Sequence, residues 1–325
     1  MIEKTFKIVI GADIAKKKFD VAVLLEGKFK HKIFTNDAVG FAAFAVWIRS
    51  LCGDSSPLVC MEATGSYSLP LADYLVNQGF SVSLVNPAKI HAFAKSELSR
   101  AKTDKADAKL IARYAFMTQP PLWIPPPANI RELQALVRRV EHLLEMIQME
   151  QNRLETAESS TRPSIANVLT TLETELKSTR TAIQDHIDNN PDLQQRGNLL
   201  KTIPGIGEAC IAHLLLALSQ HHAFTHAKQV VAFAGLAPVL RESGQWRGNT
   251  HISKTGDSAL RKVLYMPALS AWTHNPIIRA FCVRLKANGK NGKVIACATM
   301  RKLIHIAFGV IQSGKPFDPL YVGSK

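Results

Sequence analysis

Four acidic residues stand where a metal site in a mixed sheet would need them. Asp13 closes the run Ile8-Val9-Ile10-Gly11-Ala12, and Glu62 closes the apolar residues 57–61, with Gly65 just beyond to turn the chain. Asp104 and Asp107 are three apart, so a helix through residues 102–110 puts both carboxylates on one face. Strand ends beside a helix face can converge on hard cations, which prefer oxygen ligands. One or two Mg²⁺ ions so held stabilise the attacking and leaving oxygens of a phosphoryl transfer. Taken singly, each acid also has a plainer reading: Asp104 as a helix N-cap, Glu62 as a surface acid at a strand end, Asp13 as a turn residue.

Two further stretches carry residue types suited to nucleic acid. Ile203-Pro204-Gly205-Ile206-Gly207 has the form of the turn in a helix-hairpin-helix, where glycines let backbone amides approach a DNA phosphate and the next helix offers its N-terminus. A Pro-Gly turn between packed helices is the alternative. Arg241-Glu242-Ser243-Gly244-Gln245-Trp246-Arg247-Gly248 joins a hydroxyl to two arginines that would stabilise a phosphate under attack. A serine in a glycine-containing loop is also an ordinary turn former. His221, His222 and His226 cluster without a metal-ligand partner set and read as surface or capping residues.

Positioning the acids falls to an N-terminal third in which strand and helix signals alternate. Residues 6–10, 19–25 and 28–35 read as consecutive strands. Asn36 or Asp37 caps a helix to residue 51, and residues 57–61 form a buried strand ending at Glu62. A helix over 69–78, a strand over 81–85, a turn at Asn86-Pro87 and two helices over 88–117 follow. This order predicts a mixed sheet flanked by helices. Five prolines in residues 119–127 mark a boundary. Beyond Arg131, apolar residues at heptad-like spacing, broken by Pro163, predict two long amphipathic helices forming an antiparallel coiled coil. They serve either as a bundle on the core or as an arm for protein or RNA. After Pro191 an α-rich region is expected, with helices over 209–218, 227–234, 257–271 and 293–311 and a polar loop over 241–255.

Forty Lys and Arg against 26 Asp and Glu give a net charge of +14, with a pI of about 9.6, which points to a polyanionic partner. The last 85 residues, 241–325, hold 14 Lys and Arg and 3 Asp and Glu, so +11 of that charge sits there. With 46% hydrophobic residues the chain can bury real cores, which excludes a disordered tail. Five widely spaced cysteines without a CxxC pair argue against a disulfide framework or a zinc knuckle and fit a reducing cytosol. Lys16, Lys17 and Lys18 follow the first apolar run instead of preceding it, unlike a signal peptide. No apolar stretch is read as approaching the roughly 20 residues that span a bilayer, so a soluble protein with no membrane partner is expected.

These segments, together with Gly11-Ala12-Asp13-Ile14-Ala15-Lys16, Glu62-Ala63-Thr64-Gly65-Ser66-Tyr67, Lys102-Thr103-Asp104-Lys105-Ala106-Asp107-Ala108, Phe233-Ala234-Gly235-Leu236 with Pro238, and Ala259-Leu260-Arg261, occur in an order that resembles the DEDD-type insertion-sequence transposases. Within that family the chain is most similar to the bridge-RNA-guided serine recombinases, over essentially its whole length.

The resemblance implies an α/β N-terminal domain with a ribonuclease-H-like, Holliday-junction-resolvase-like fold over residues 1–127. It also implies coiled-coil linker helices over 128–194 and a mainly α transposase domain with a helix-hairpin-helix over 195–325. Asp13, Glu62, Asp104 and Asp107 match the family's Mg²⁺-binding (or Mn²⁺-binding) acids, and Ser243 its nucleophile. Expected partners are donor and target DNA, a structured non-coding guide RNA, and further copies of the chain in a dimer of dimers, in the cytoplasm of a bacterium and at its nucleoid. Pro204, Gly205, Gly207, Arg241, Arg247, Lys254, Arg261 and Lys262 are the expected nucleic-acid contacts. With base pairing reading the sequence, the protein needs only shape, backbone charge and junction geometry. Two rival readings keep the same residues: a junction-resolving nuclease whose acids activate water, and a non-catalytic nucleic-acid binder using only the hairpin motif and the basic tail.

Overall fold

The computed structural model describes residues 6–25, 27–53, 55–98, 103–219, 224–239, 242–243, 246–247 and 251–320. They fall in two compact units, Met1–Pro125 and Pro126–Lys325.

The first unit is built on strands β1 (Val9–Ile14), β2 (Lys18–Leu25), β3 (Lys28–Thr35), β4 (Leu58–Glu62) and β5 (Ser81–Val85). They form one sheet in the order β3-β2-β1-β4-β5. β2 is antiparallel to both β1 and β3, whereas β4 is parallel to both β1 and β5. This is the mixed sheet expected, with β1 running four residues past the predicted end so that Asp13 lies inside the ladder. Helices α1 (Ala38–Cys52), α2 (Leu69–Asn77), α3 (Pro87–Ser96) and α4 (Asp104–Thr118) cover its two faces. Asp37 caps α1, accepting from the Gly40 amide at 2.8 Å.

Strand alternation sorts the side chains. Ile10, Ala12, Phe19, Val21, Val59 and Met61 point to a core shared with Phe41, Phe44 and Ile48 of α1 and Leu71 and Leu75 of α2. Val9, Leu58 and Cys60 point the other way, onto Ile90 of α3 and Leu110, Ile111 and Tyr114 of α4. Both faces of β1 and β4 are buried, which is why these strands read as continuous apolar runs. α4 lies directly on β1: a Cβ at Gly11 would run into the carbonyl oxygen of Ala108 and the backbone nitrogen of Ala112.

The second unit opens with an antiparallel pair of long helices, α5 (Ala128–Thr156) and α6 (Arg162–Asp188). Pro163, the break in the periodic stretch, sits in the first turn of α6, where its missing N–H costs nothing. Val140, Leu143 and Ile147 meet Leu169 and Leu176 along the pair. At its base, Ile130, Leu133, Val137 and Ile187 join the core of the helices that follow, so this end of the pair is integral to the unit. Those helices are α7 (Pro191–Lys201), α8 (Glu208–Ser219), α9 (Ala227–Phe233), α10 (Ser258–Val263), α11 (Tyr265–His274), α12 (Pro276–Ala287) and α13 (Gly292–Ser313).

Two expectations are corrected here, and one helix is added. The single helix over 257–271 is two, α10 and α11, separated at Leu264. Pro267 has no N–H to offer the Val263 carbonyl, and this breaks the ladder. α12 was not anticipated, although Asn275-Pro276 starts it, with the Asn275 side chain accepting from Ile277 and Ile278 at 3.1 and 3.2 Å. α13 is, by length and composition, apolar enough to cross a membrane, contrary to the sequence reading. Its Ile295, Met300, Leu303, Ile304 and Ala307 pack in the core of this unit, which accounts for its apolar composition.

Candidate active site

The sheet explains how the N-terminal acids meet. Ala12 pairs with Met61 in the parallel β1–β4 ladder, so Asp13 and Glu62 follow at neighbouring strand ends. Both have the alternation parity of Val9, Leu58 and Cys60, which is the face α4 covers. Thr103 caps α4, its hydroxyl accepting from Ala106 at 3.2 Å, so Asp104 is the first helical residue and not the cap. Asp104 and Asp107 both fall in the first turn of α4. Two strand ends and one helix N-terminus therefore bring Glu62, Asp104 and Asp107 within electrostatic reach of Asp13.

Their electrostatics record that convergence. The carboxyl of Asp13 is pushed up to about 6, first by burial and then by Asp107, Asp104, Glu62 and Asp20. Glu62 is raised by burial and by Asp107. Asp104 is moved down, because the Lys18 ammonium donates to its Oδ2 at 2.8 Å. Like charges held together at a strand end favour the binding of a cation. An all-carboxylate donor set fits a hard divalent ion such as Mg²⁺ or Mn²⁺. The set is not closed up, however. Among the described residues no three His, Cys, Asp or Glu side chains form a group that could hold a metal ion together.

Sequence reasoning missed three residues beside this cluster. Asp20 pairs with Asp13 across the β1–β2 ladder and is 3% exposed. Its Oδ2 accepts from Lys18 at 3.0 Å and its Oδ1 pairs with His31 Nε2 at 2.8 Å. The available signal was a lone acid in an otherwise apolar strand, Lys18–Leu25, which is rarely buried without partners. Lys18 carries no such local signal, since it is the last of three consecutive lysines.

In the second unit, short strands replace the expected polar loop. β6 (Pro238–Val239) pairs with β9 (His251–Ile252), and β7 (Glu242–Ser243) pairs with β8 (Trp246–Arg247), both antiparallel. Ser243 thus stands opposite Trp246, and Glu242 opposite Arg247. The side chains of Ser243 and Arg247, and all of Arg241, His221 and His222, lie outside the described residues.

The base of this strand pair is clamped to the end of α9. Ser253, Lys254 and Asp257 donate their amides to the carbonyls of Ala237, Gly235 and Phe233 at 2.9, 3.0 and 2.7 Å. Gly235 and Gly256 take positive φ to allow it, at 67° and 140°. Arg261 Nη1 donates to the Ala234 carbonyl at 2.8 Å. The segments Phe233-Ala234-Gly235-Leu236 and Ala259-Leu260-Arg261 therefore hold the β6–β9 pair, between whose strands β7 and β8 fall in the sequence. Lys254 and Lys262 stand nearby, both exposed.

The Ile203 to Gly207 turn does connect two helices, α7 and α8. Gly205, at φ 99°, is required there because a Cβ would come within 2.7 Å of the Cβ and amide nitrogen of Ala271 in α11. That is the packing reading. Pro204 is half-buried, its carbonyl accepting from Asn275 Nδ2 at 3.4 Å, whereas Gly207 faces open space.

Comparison with known proteins agrees with this assembly of parts. A transposase family model matches residues 10–163, and a model for transposases of the IS116/IS110/IS902 family matches residues 197–282. The pilin gene-inverting protein of Moraxella bovis is 36% identical over 315 residues, covering 96% of this chain and 98% of its own. The corresponding protein of Moraxella lacunata aligns over the same length at the same identity. The transposase for insertion sequence element IS1111A of Coxiella burnetii is 24% identical over 299 residues, covering 82% of this chain and 78% of its own. The chain belongs to the IS110-type family of transposases. It is accordingly an enzyme of DNA transposition or recombination.

Proposed function

We propose that the protein cuts and rejoins donor and target DNA through a phosphoserine intermediate, with Asp13, Glu62, Asp104 and Asp107 holding Mg²⁺ and Ser243 as nucleophile, guided by a structured RNA of the element. The observation that carries this reading is the placement of four carboxylates at the ends of β1 and β4 and the first turn of α4, where burial first, and then the neighbouring acids, push the Asp13 carboxyl up to about 6. The sheet order supports a ribonuclease-H-like reading of residues 1–127; coiled-coil linker helices over 128–194 and a transposase region over 195–325 with a helix-hairpin-helix complete the proposed organisation. The names of the Moraxella relatives, pilin gene-inverting proteins, favour strand exchange over simple cutting.

In this reading, Ser243 Oγ attacks a backbone phosphorus, its hydroxyl proton passing by way of solvent to the departing 3′ oxygen. An ester to the 5′-phosphate side forms as the bond to the 3′ oxygen breaks. A 3′-hydroxyl from the second duplex then attacks the same phosphorus, forming the new phosphodiester and returning the serine. One phosphate ester replaces another at each step, so no external energy source is needed. A divalent cation, when bound, neutralises charge on the departing oxygen. The four acids hold that cation, the clamp from Phe233 to Asp257 holds the β6–β9 pair between whose strands Ser243 falls in the sequence, and the basic C-terminal residues bind backbone phosphates.

Trapping separates this from a junction nuclease that uses the same acids on water. Incubation with cognate DNA and RNA, denaturation and mass spectrometry are expected to find DNA joined to Ser243. Cleaved DNA with no protein adduct would favour the nuclease.

A further inference from the structure

One contact in the first unit lies outside the roles described so far. Lys18, at the start of β2, places its ammonium between two carboxylates, 3.0 Å from Asp20 Oδ2 and 2.8 Å from Asp104 Oδ2. The two acids are differently placed. The Asp20 side chain is 4% exposed and fully engaged, by Lys18 on one oxygen and His31 on the other. Asp104, at the first position of α4, has a side chain 56% exposed.

We propose that Lys18 is a positioning residue that occupies Asp104 in place of a divalent cation, so that ion and ammonium compete for one carboxylate while Asp20 keeps the ammonium tethered. The proposal rests on the metal-binding reading of the four acids. It accounts for two facts together. Asp104 shares the acid cluster but is turned to an internal cation, and no closed metal-holding group exists among the described residues. It also explains why an acid is buried at position 20: a tether independent of Asp104 lets Lys18 release that carboxylate without drifting from the site. An exchangeable partner suits Asp104, because an ion pair this exposed is weak and easily replaced. A purely structural clamp between β2 and α4 makes the opposite prediction, since loosening Asp104 would weaken cation binding.

The test is Mn²⁺ titration of the full chain, by calorimetry and by the electron paramagnetic resonance of free Mn²⁺, with folding checked by circular dichroism. Wild type is compared with Lys18→Met, Lys18→Gln, Lys18→Arg and Asp13→Asn. Removing a unit charge in contact with a ligand is expected to tighten Mn²⁺ binding about tenfold in Lys18→Met and Lys18→Gln, while Lys18→Arg keeps the wild-type value. Lys18→Gln can still hydrogen-bond Asp20, so it answers the question if Lys18→Met does not fold. Binding that depends on Asp13 but is unchanged or weaker without the Lys18 charge overturns the competition and leaves the metal site standing. Binding that is absent from wild type and the Lys18 variants alike, or indifferent to Asp13→Asn, overturns the metal reading and the role of Lys18 with it.

Discussion

Asp13 and Asp20 face each other across the β1–β2 ladder, yet their carboxyls live in opposite surroundings. Asp20 is buried with a partner on each oxygen, Lys18 and His31. Asp13 is pushed up to about 6, first by its own burial and then by Asp107, Asp104 and Glu62. One register pair thus joins an acid that is structurally satisfied to one held in a field of its own sign. The first is suited to anchoring and the second to capturing a cation.

That contrast predicts an unusual pH dependence for the metal-free protein. A carboxyl whose pKa is higher folded than unfolded opposes folding when ionised, and the penalty is lifted as pH falls through the folded value. Asp13 should therefore cost stability above about pH 6 and cost nothing below about pH 4, the unfolded range. In EDTA, Asp13→Asn is expected to melt higher than wild type at pH 7.5, by about 1 kcal/mol once solvent screening is allowed for. The advantage should shrink as pH falls through 6. A variant no more stable than wild type at pH 7.5 in calorimetry would show that burial and the neighbouring acids do not penalise the Asp13 carboxylate as described.

Gly11 supplies a test of how tightly the site depends on one backbone approach. A methyl group there collides with the backbone of α4 at Ala108 and Ala112, and α4 carries Asp104 and Asp107. Backbone cannot rotate away as a side chain can. Gly11→Ala is expected to lower stability by about 3 kcal/mol in urea unfolding and to abolish cleavage even under conditions where the chain remains folded. Wild-type cleavage by the variant would mean that the α4 acids tolerate displacement from the strand ends.

How far the sequence revealed this arrangement depended on the range of the forces involved. The sheet strands and the acids at their ends were readable because apolar alternation and i, i+3 spacing are local. Asp37 and the Asn86-Pro87 turn likewise act on their own neighbours. Lys18 was not readable, since its partner Asp104 is 86 residues away and only the fold joins them. The same holds for Gly205, whose necessity comes from Ala271 on another helix. Where a local signal existed and was passed over, as with Asn275-Pro276 at the start of α12, the neighbouring apolar helix pattern masked it.

Binding and chemistry should separate at Ser243. If the basic C-terminal residues engage phosphates, affinity for DNA and RNA should fall by on the order of a thousandfold between 50 and 200 mM salt, the loss expected for about six phosphate contacts. Ser243→Ala removes one hydroxyl and no charge, so its binding curve should overlay the wild-type curve at every salt concentration. It should form no covalent adduct. An adduct on Ser243→Ala, or one mapped by mass spectrometry to another residue, removes Ser243 from the nucleophile's role.

The last prediction concerns which chains build one active site. Asp13, Glu62, Asp104 and Asp107 belong to the first compact unit and Ser243 to the second, and the proline-rich residues 119–127 lie at the boundary between them. Nothing local obliges one chain's serine to act on its own acids. Exchange between two duplexes needs at least two nucleophiles in one assembly, and closed symmetric assemblies are the usual way for one chain to supply them. Mixing tagged Asp104→Ala protein with untagged Ser243→Ala protein is therefore expected to restore cleavage, because one pairing unites an intact serine with intact acids. The covalent adduct should form only on the tagged chain, which keeps its serine. If the mixture stays inactive although the two variants demonstrably co-assemble and bind nucleic acid, each site is built within a single chain and the shared-site reading is wrong.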